Sequence, residues 1–416
     1  MRMRTLCFVA ATLAVWLGAA DALAAQSCSA LKALDSTGNP STTDAPPVIY
    51  VMGSTAVKPM IAALAPAMFL DTTRPTTIVY VATGSCTGVS GVVAGTPIAA
   101  NTTAAYWDAN SKTTVSGTTT DKEEACTIAT PIVADVGASD VFAQTCGFAQ
   151  QGLPQGLKDF QGPIQSMTFA VPKGSVENSI SAQAAYLVFG LANLAPWTDP
   201  THIFRRNASS GTQQMIATAI GVDAKRWQGI DANGSTGVFT SLTAQIAQTD
   251  QDKSIGILGA DYSSKPDVKM LAYQHFGQSC AYRPDVNPLD KLNTRNGRYA
   301  IWGPLHLFSQ VDQSALATNI RARDLIAYLQ GSQPPPLGVN LIRLEASVGV
   351  VPPCAMNVHR DAEMGPMSPI APGSGARCGC AFDHEATGAT TCKACVSAGD
   401  CSTGQTCSFG YCEATQ

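Results

Sequence analysis

Of 416 residues only 13% are charged and 45% are apolar, with a net charge of −4. No basic run or basic–aromatic stripe occurs, so the electrostatic footprint of a nucleic-acid binder is excluded. The weakly negative balance means that any anion site must be built locally, because the overall field repels anions. The length exceeds one ordinary core and fits two lobes plus extras.

The chain begins Met1-Arg2-Met3-Arg4, continues as an apolar stretch from Leu6 to Ala20, and reaches Ala22-Leu23-Ala24-Ala25. A basic start, a short apolar core and an A-x-A exit predict a signal peptide over 1–24 and an exported protein, in the periplasm or at the cell surface. The stretch is too short to read as a spanning helix. Residues 25–47 are a polar lead-in. Export makes most of the cysteines disulfides. Cys7 leaves with the signal and thirteen remain, an odd number, so at least one is free, intermolecular or modified. A lipid on Cys28 would settle the parity, but Ala25-Gln26-Ser27 lacks the Leu that a lipidation signal wants three residues before the Cys.

Val48-Ile49-Tyr50-Val51 reads as a buried strand, Gly53-Ser54-Thr55 as a turn, and Ala56 to Phe69 as a helix by its apolar spacing. Thr77 to Val81 is a second strand, running into Gly84-Ser85-Cys86-Thr87-Gly88. Strand, Gly/Ser turn and helix, repeated, predict βα units and a parallel sheet. Residues 96–128 are Thr-rich and weakly patterned, an inserted excursion that a Cys86–Cys126 disulfide would close. Ile132 to Asp140 returns to a strand that ends in a polar turn. Met167 to Pro172 is a strand leading into a second region, with helices near 181–192 and 212–220 and a strand at Ser254 to Gly259. Tyr299 to Leu307 is extended, and Val311 to Leu329 is helical. Pro334-Pro335-Pro336 is a stiff connector. Beyond Cys354 the chain is loop-like, and from Gly373 it becomes a Cys-dense tail resembling a small EGF-like or knottin-like staple. The spacing Cys392-x-x-Cys395, with Cys378, Cys380 and His384 nearby, also admits zinc, though export favours disulfides. Cys146 and Cys280 are a further candidate pair.

Four turns share one design: Gly53-Ser54-Thr55-Ala56, Gly84-Ser85, Gly137-Ala138-Ser139-Asp140, and Arg206 through Thr212. Each follows a strand and can open a helix. Helix N-termini present free N–H groups and partial positive charge, hydroxyls add donors, and Gly admits a ligand close to the backbone. Together they form an anion cradle. Singly, each is equally an N-cap. Arg206 supplies the compensating cation, its guanidinium suited to bidentate oxyanion contact, with Arg205 beside it as the alternative. Asp140, unless it is a helix cap or a hinge ion pair, fits an anion that carries a proton, because a carboxylate only accepts hydrogen bonds.

These segments, in this order, resemble the phosphate-binding receptor of bacterial ABC phosphate importers, a family with the type II periplasmic-binding-protein fold. The resemblance covers roughly 48–345 and rests on Gly53-Ser54-Thr55-Ala56-Val57, Gly84-Ser85, Gly137-Ala138-Ser139-Asp140 and Arg206-x-x-x-Ser210-Gly211-Thr212, with secondary matches at Ser254-Ile255-Gly256-Ile257 and Tyr299-Ala300-Ile301. It implies two α/β lobes, one from 48–166 plus 305–350 and the other from 167–304. It also implies a hinge of two crossovers and an interlobe site for inorganic phosphate made by Thr55, the Ala56 backbone, Ser85, Asp140, Arg206, Ser210, Gly211 and Thr212. It further implies a membrane ABC permease as partner, no cofactor and no metal. Residues 351–416, a Pro/Gly linker and Cys-rich tail, depart from the family pattern, and so does the long insertion at 96–128. The alternative reading is a surface interaction or adhesion protein that meets a cell-surface partner through the tail. A secreted hydrolase is less favoured. G-x-S-x-G, H-E-x-x-H and P-loop motifs are absent, and His202, His275, His306, His359 and His384 are dispersed.

Overall fold

The computed structural model describes residues 27–31 and 48–415, apart from 109–110, 116–117, 247–248, 288 and 372–374. The signal peptide, Cys7 and most of the lead-in lie outside the described residues. No helix among the described residues is long and apolar enough to cross a membrane.

The first lobe is built on β1 (Val48–Gly53), α1 (Lys58–Phe69), β2 (Thr77–Ala82) and α2 (Ser85–Val93). It continues through β3 (Thr103–Tyr106), β4 (Lys112–Val115), β5 (Thr118–Asp121), β6 (Glu124–Thr127) and β7 (Val136–Ser139). β1 pairs in parallel with both β2 and β7 and is buried throughout, which is why it reads as an unbroken apolar run rather than an alternation. α1 begins two residues later than its apolar spacing suggested, with Pro in its first turn, a position where the missing N–H is no loss.

The excursion at 96–128 is more ordered than its sequence predicts. β3 pairs antiparallel with β2, and β6 with β3, so both extend the main sheet. Thr suits a pleated, half-buried surface, and the buried Ala104, Trp107, Cys126 and Ile128 anchor that face to the core. β4 and β5 form a separate hairpin.

β8 (Leu157–Pro172) is a 16-residue strand shared by both halves of the molecule. Residues 157–166 pair antiparallel with β15 (Trp302–Gln310), whereas from Met167 onward the partners are β12 and β13. The second lobe contains β9 (Ser179–Ser181), α3 (Ala182–Leu191), β10 (Ile203–Arg205), α4 (Gly211–Ile220), β11 (Ile230–Asp231) and α5 (Ser235–Thr243). It is completed by β12 (Ile255–Gly259), β13 (Val268–Met270), β14 (Ala272–Gln274) and α6 (Leu292–Arg295). The main sheet therefore runs β11-β10-β12-β8-β15-β7-β1-β2-β3-β6. This is a two-lobed α/β fold with β8 and β15 as its two crossovers.

Each lobe carries apolar cores on the two faces of its part of the sheet: one pair around Ile49 and Val79, another around Phe169 and Phe204. α7 (Ile320–Leu329) starts later than the helical pattern from Val311 predicts, because Asn319 caps it by accepting from the Arg321 N–H. α8 (Leu341–Ser347) follows the Pro-rich connector.

The C-terminal region is not merely loop. It holds β16 (Val358–His359), β17 (Ser368–Pro369), α9 (Gly379–Thr387) and the hairpin β18 (Gln405–Ser408) and β19 (Tyr411–Ala414). Its own small core joins Phe382 and Cys378 to Ile164, Trp302, Ile342 and Val351. Four disulfides staple it: Cys354–Cys378, Cys380–Cys392, Cys395–Cys407 and Cys401–Cys412. No thiolate of this region is left for zinc.

Two expected pairings are corrected. Cys126 bonds Cys28, not Cys86, because the Ser27 segment lies beside Thr127 at the sheet edge. Cys86 bonds Cys146, since α2 starts next to the turn that follows Asp140. Cys146 is thereby unavailable to Cys280, which is the free and exposed thiol among the described residues. Cys28, in a disulfide, offers no thiol for a lipid.

Candidate functional site

Close packing of α2 on β7 sets the geometry of the first lobe's share. A Cβ on Gly88 would stand 2.6 Å from the Ala138 carbonyl oxygen, and one on Gly137 would stand 2.3 Å from that of Gly88. Only glycine admits this approach, and it brings the Ser85 turn against the Asp140 turn. The Ser85 hydroxyl donates to Asp140 Oδ2 and accepts from the Asp140 N–H, both at 3.1 Å. The Cys86–Cys146 disulfide ties the same two turns one step further out. The long insertion between Ser85 and Asp140 is thus bridged covalently and by packing.

Ser54, which the sequence offered only as part of a turn, donates to Asp140 Oδ1 at 2.5 Å. Its carbonyl accepts from the Tyr80 hydroxyl and its N–H donates to Ala138 at 2.9 Å. The Asp140 carboxylate is 2% exposed. Burial pushes its pKa above the ordinary value, while the hydroxyls of Ser54 and Ser85 and the charge of Arg206 pull it back.

The second lobe contributes Arg206, also 2% exposed. Its backbone N–H is held by Gln213 at 2.9 Å. Its Nη2 donates across the lobes to Thr55 Oγ1 at 2.7 Å and its Nη1 to Ser235 Oγ at 2.7 Å. Burial lowers its pKa, opposed by Asp140, Tyr262, Asp231 and Asp261, and a guanidinium remains charged regardless. Ser235 begins α5 after Gly234, and Gly234-Ser235-Thr236 repeats Gly53-Ser54-Thr55. That repeat was the available sequence signal for Ser235. Arg205 points away, to the carbonyls of Gly229 and Arg206.

α4 opens at Gly211 with Ser210 as N-cap, and Gly211 is wedged between the lobes. A Cβ there would meet Ser85 Oγ at 2.2 Å and Asp140 Oδ2 at 2.6 Å. The first amides of α4 thus face the carboxylate turn, where a helix N-terminus lends positive potential. Ser210 and Thr212 are buried. Ser209 is a brace, its carbonyl accepting from the Cys86 N–H at 3.0 Å across the lobes.

The structure therefore brings Thr55, Ser85, Asp140, Arg206 and Gly211 to one interlobe position, with Ser210 and Thr212 flanking Gly211 at the start of α4. Ala56 differs. Its N–H donates to Ser54 Oγ at 3.0 Å within its own turn, and its methyl packs on the second lobe's core. Ser85 is occupied wholly with Asp140, so it orients the carboxylate.

Two features are chemically unusual. Among the described residues neither Asp140 nor Arg206 forms an ion pair, although both are buried. Arg206 Nε and Ser210 Oγ are buried with no hydrogen-bond partner. Buried polar groups normally have one. The site thus offers unspent donors beside a carboxylate that can only accept.

No family model and no curated protein matches the chain. Among solved structures it is similar to a putative phosphate ABC transporter substrate-binding protein with bound phosphate from Clostridium perfringens (13% identity, 73% of this chain and 99% of that chain, TM-score 0.48). It is also similar to an ABC-type phosphate transport receptor from Vibrio cholerae (14% identity, 73% and 100%, TM-score 0.47). The reduced regulatory domain of OxyR from Pseudomonas aeruginosa is a more distant likeness (6% identity, 67% and 95%, TM-score 0.36).

Proposed function

We propose that this protein is an extracytoplasmic solute receptor that captures phosphate, or a similar protonated tetrahedral oxyanion, between its lobes and passes it to a membrane ABC permease. The observation that carries this reading is the separated pair Asp140 and Arg206, buried from opposite lobes and unpaired with each other. A buried charge is costly unless it is paired. An anion with both bare and protonated oxygens meets both needs: it accepts from Arg206 Nε, Ser210 and the α4 amides, and its hydroxyl donates to Asp140. Thr55 and Ser235 accept from Arg206 and keep their own protons for the anion. Sulfate has no proton to give Asp140 near neutral pH. The six disulfides among the described residues suit an oxidising compartment.

Bound anion would bridge the lobes and favour the closed form, with β8 and β15 flexing as the hinge. Calorimetric titration with phosphate, arsenate, sulfate and molybdate tests binding. Phosphate and arsenate should compete and sulfate should bind far more weakly. Absence of phosphate binding would end the proposal. Normal phosphate uptake under starvation in a deletion strain would remove the transport role alone.

A further inference from the structure

The C-terminal module meets the two lobes by different chemistry. On the first-lobe side the joint is apolar. Ile342 and Ala346 of α8 share one core with Ala381 and Phe382 of α9, and Glu345, next to Ala346 on α8, is 0% exposed. Parting such a joint returns apolar surface to water, so it has no cheap open state. On the second-lobe side the joint is polar and concentrated on one residue. Arg295, at the end of α6 and 4% exposed, enters the module. It donates to the Ala355 carbonyl at 3.0 Å and to the Gly379 carbonyl at 3.2 Å. It also pairs with Asp383 of α9 and lies over the Phe382 ring at 5.2 Å. Its own carbonyl accepts from the Asn357 N–H at 2.9 Å. A planar guanidinium held by several acceptors at once has a fixed orientation.

The module also packs on both crossovers. Ile164 of β8 and Trp302 of β15 belong to the same core as Phe382. Ile164 exchanges both of its backbone hydrogen bonds with Val351, at 2.7 and 3.0 Å. Arg360 lies over the Trp302 ring at 4.1 Å and donates to the Ala300 carbonyl at 3.1 Å. The module is itself stiff: Cys354–Cys378 ties its entry to the start of α9, and three more disulfides staple the remainder. A hinge bends only as far as the groups packed on it yield, and close-packed cores switch between discrete arrangements rather than deform continuously.

We propose that the module is a clamp on the hinge. It is fused to the first lobe through α8 and latched to the second through Arg295, and it limits how far the lobes part before a ligand is bound. The interlobe site is thereby pre-organised, and capture spends less of its binding energy on closure. The clamp depends on the two lobes and their crossovers, not on the identity of the ligand, so it is tested without one.

Spin labels on Cys280, free and exposed in the second lobe, and on Thr72→Cys, at an exposed position of the first, report the lobe-to-lobe distance. Double electron–electron resonance is measured on the full chain in buffer free of oxyanions. With the latch intact the distance distribution should be narrow. Arg295→Ala should roughly double its width and extend it to longer distances, as expected for a released hinge. Arg343→Ala removes an exposed pair with Glu385 on the first-lobe side and should leave the distribution unchanged, because the apolar core holds there. Asp383→Asn keeps the carbonyl partners of Arg295 and should broaden the distribution less; it decides the matter if Arg295→Ala does not fold. The same distribution in parent and latch variants, or equal broadening by Arg343→Ala, would overturn the clamp.

Discussion

In the proposed function Asp140 and Arg206 carry separable roles, and substitution distinguishes them. Arg206 provides charge. Arg206→Ala should weaken every oxyanion by about 30-fold or more, the order expected for removing one partner of a buried charge-assisted contact. In that reading Asp140 provides selectivity. An amide in its place donates as well as accepts, so Asp140→Asn should narrow the gap between phosphate and sulfate more than it changes total affinity. Competition titrations with the two anions measure that ratio. An unchanged ratio would reduce Asp140 to an anchor for the Ser54 and Ser85 turns, which it also holds at 2.5 and 3.1 Å. The sequence named Asp140, but not Ser54. A Gly-Ser-Thr turn has two hydroxyls pointing in different directions, and only the path of the chain after β1 decides which one meets Asp140.

At the scale of elements, the start of α4 is the most exacting piece. Gly211 is not at a positive-φ position; it is required because the opposite lobe comes so near. Gly211→Ala places a methyl against Ser85 and Asp140, at 2.2 and 2.6 Å from their side-chain oxygens. The lobes must part to admit it. Oxyanion binding should fall at least 100-fold, while the melting temperature stays close to that of the parent, because each lobe keeps its own core. Small-angle scattering would show the more open form. A melting temperature that collapses with binding would instead mean that lobe contact is needed for folding. The sequence pattern did locate α4 and α2, since Gly and Ser at the end of an apolar strand mark a helix start. It missed β3 and β6, whose Thr-rich residues show little alternation until a neighbouring sheet edge is present to bury one face.

At the scale of the molecule, the C-terminal extension straps both lobes. Arg295 of the second lobe reaches the Ala355 carbonyl at 3.0 Å and pairs with Asp383, and Arg360 reaches Ala300 at 3.1 Å. Glu363 accepts from the Phe142 N–H of the first lobe at 3.3 Å. Part of Glu363 touches solvent, but its carboxylate is enclosed and Oε1 has no partner among the described residues. Burial pushes this carboxyl up to about 7, against the pull of His306 and Arg360. The folded chain therefore holds a proton that the unfolded chain has released once pH exceeds the ordinary value of 4.5. Stability falls as pH rises from that value to the folded one, on the order of 1–3 kcal/mol. Glu363→Gln removes this loss, so its melting temperature should exceed the parent's by more at pH ~8 than at pH ~5, by roughly 2–6 °C. Thermal scans at the two pH values check it; an equal difference at both would mean that Glu363 does not titrate in this window.

The sequence by itself determined the α/β alternation, the four glycine- and hydroxyl-bearing turns, the Arg206 and Asp140 candidates and the stapled tail, because each is written in neighbouring residues. Tertiary structure decided the rest. It chose Cys146 over Cys126 for Cys86, recruited Ser54 and Ser235, turned Ser85 from a free donor into a brace for Asp140, and buried Glu345 beside a module that local pattern shows only as loop. The physical reason is common to all four. Each depends on which distant segments come within a few ångströms of one another, and that proximity is set by sheet order and packing rather than by local periodicity.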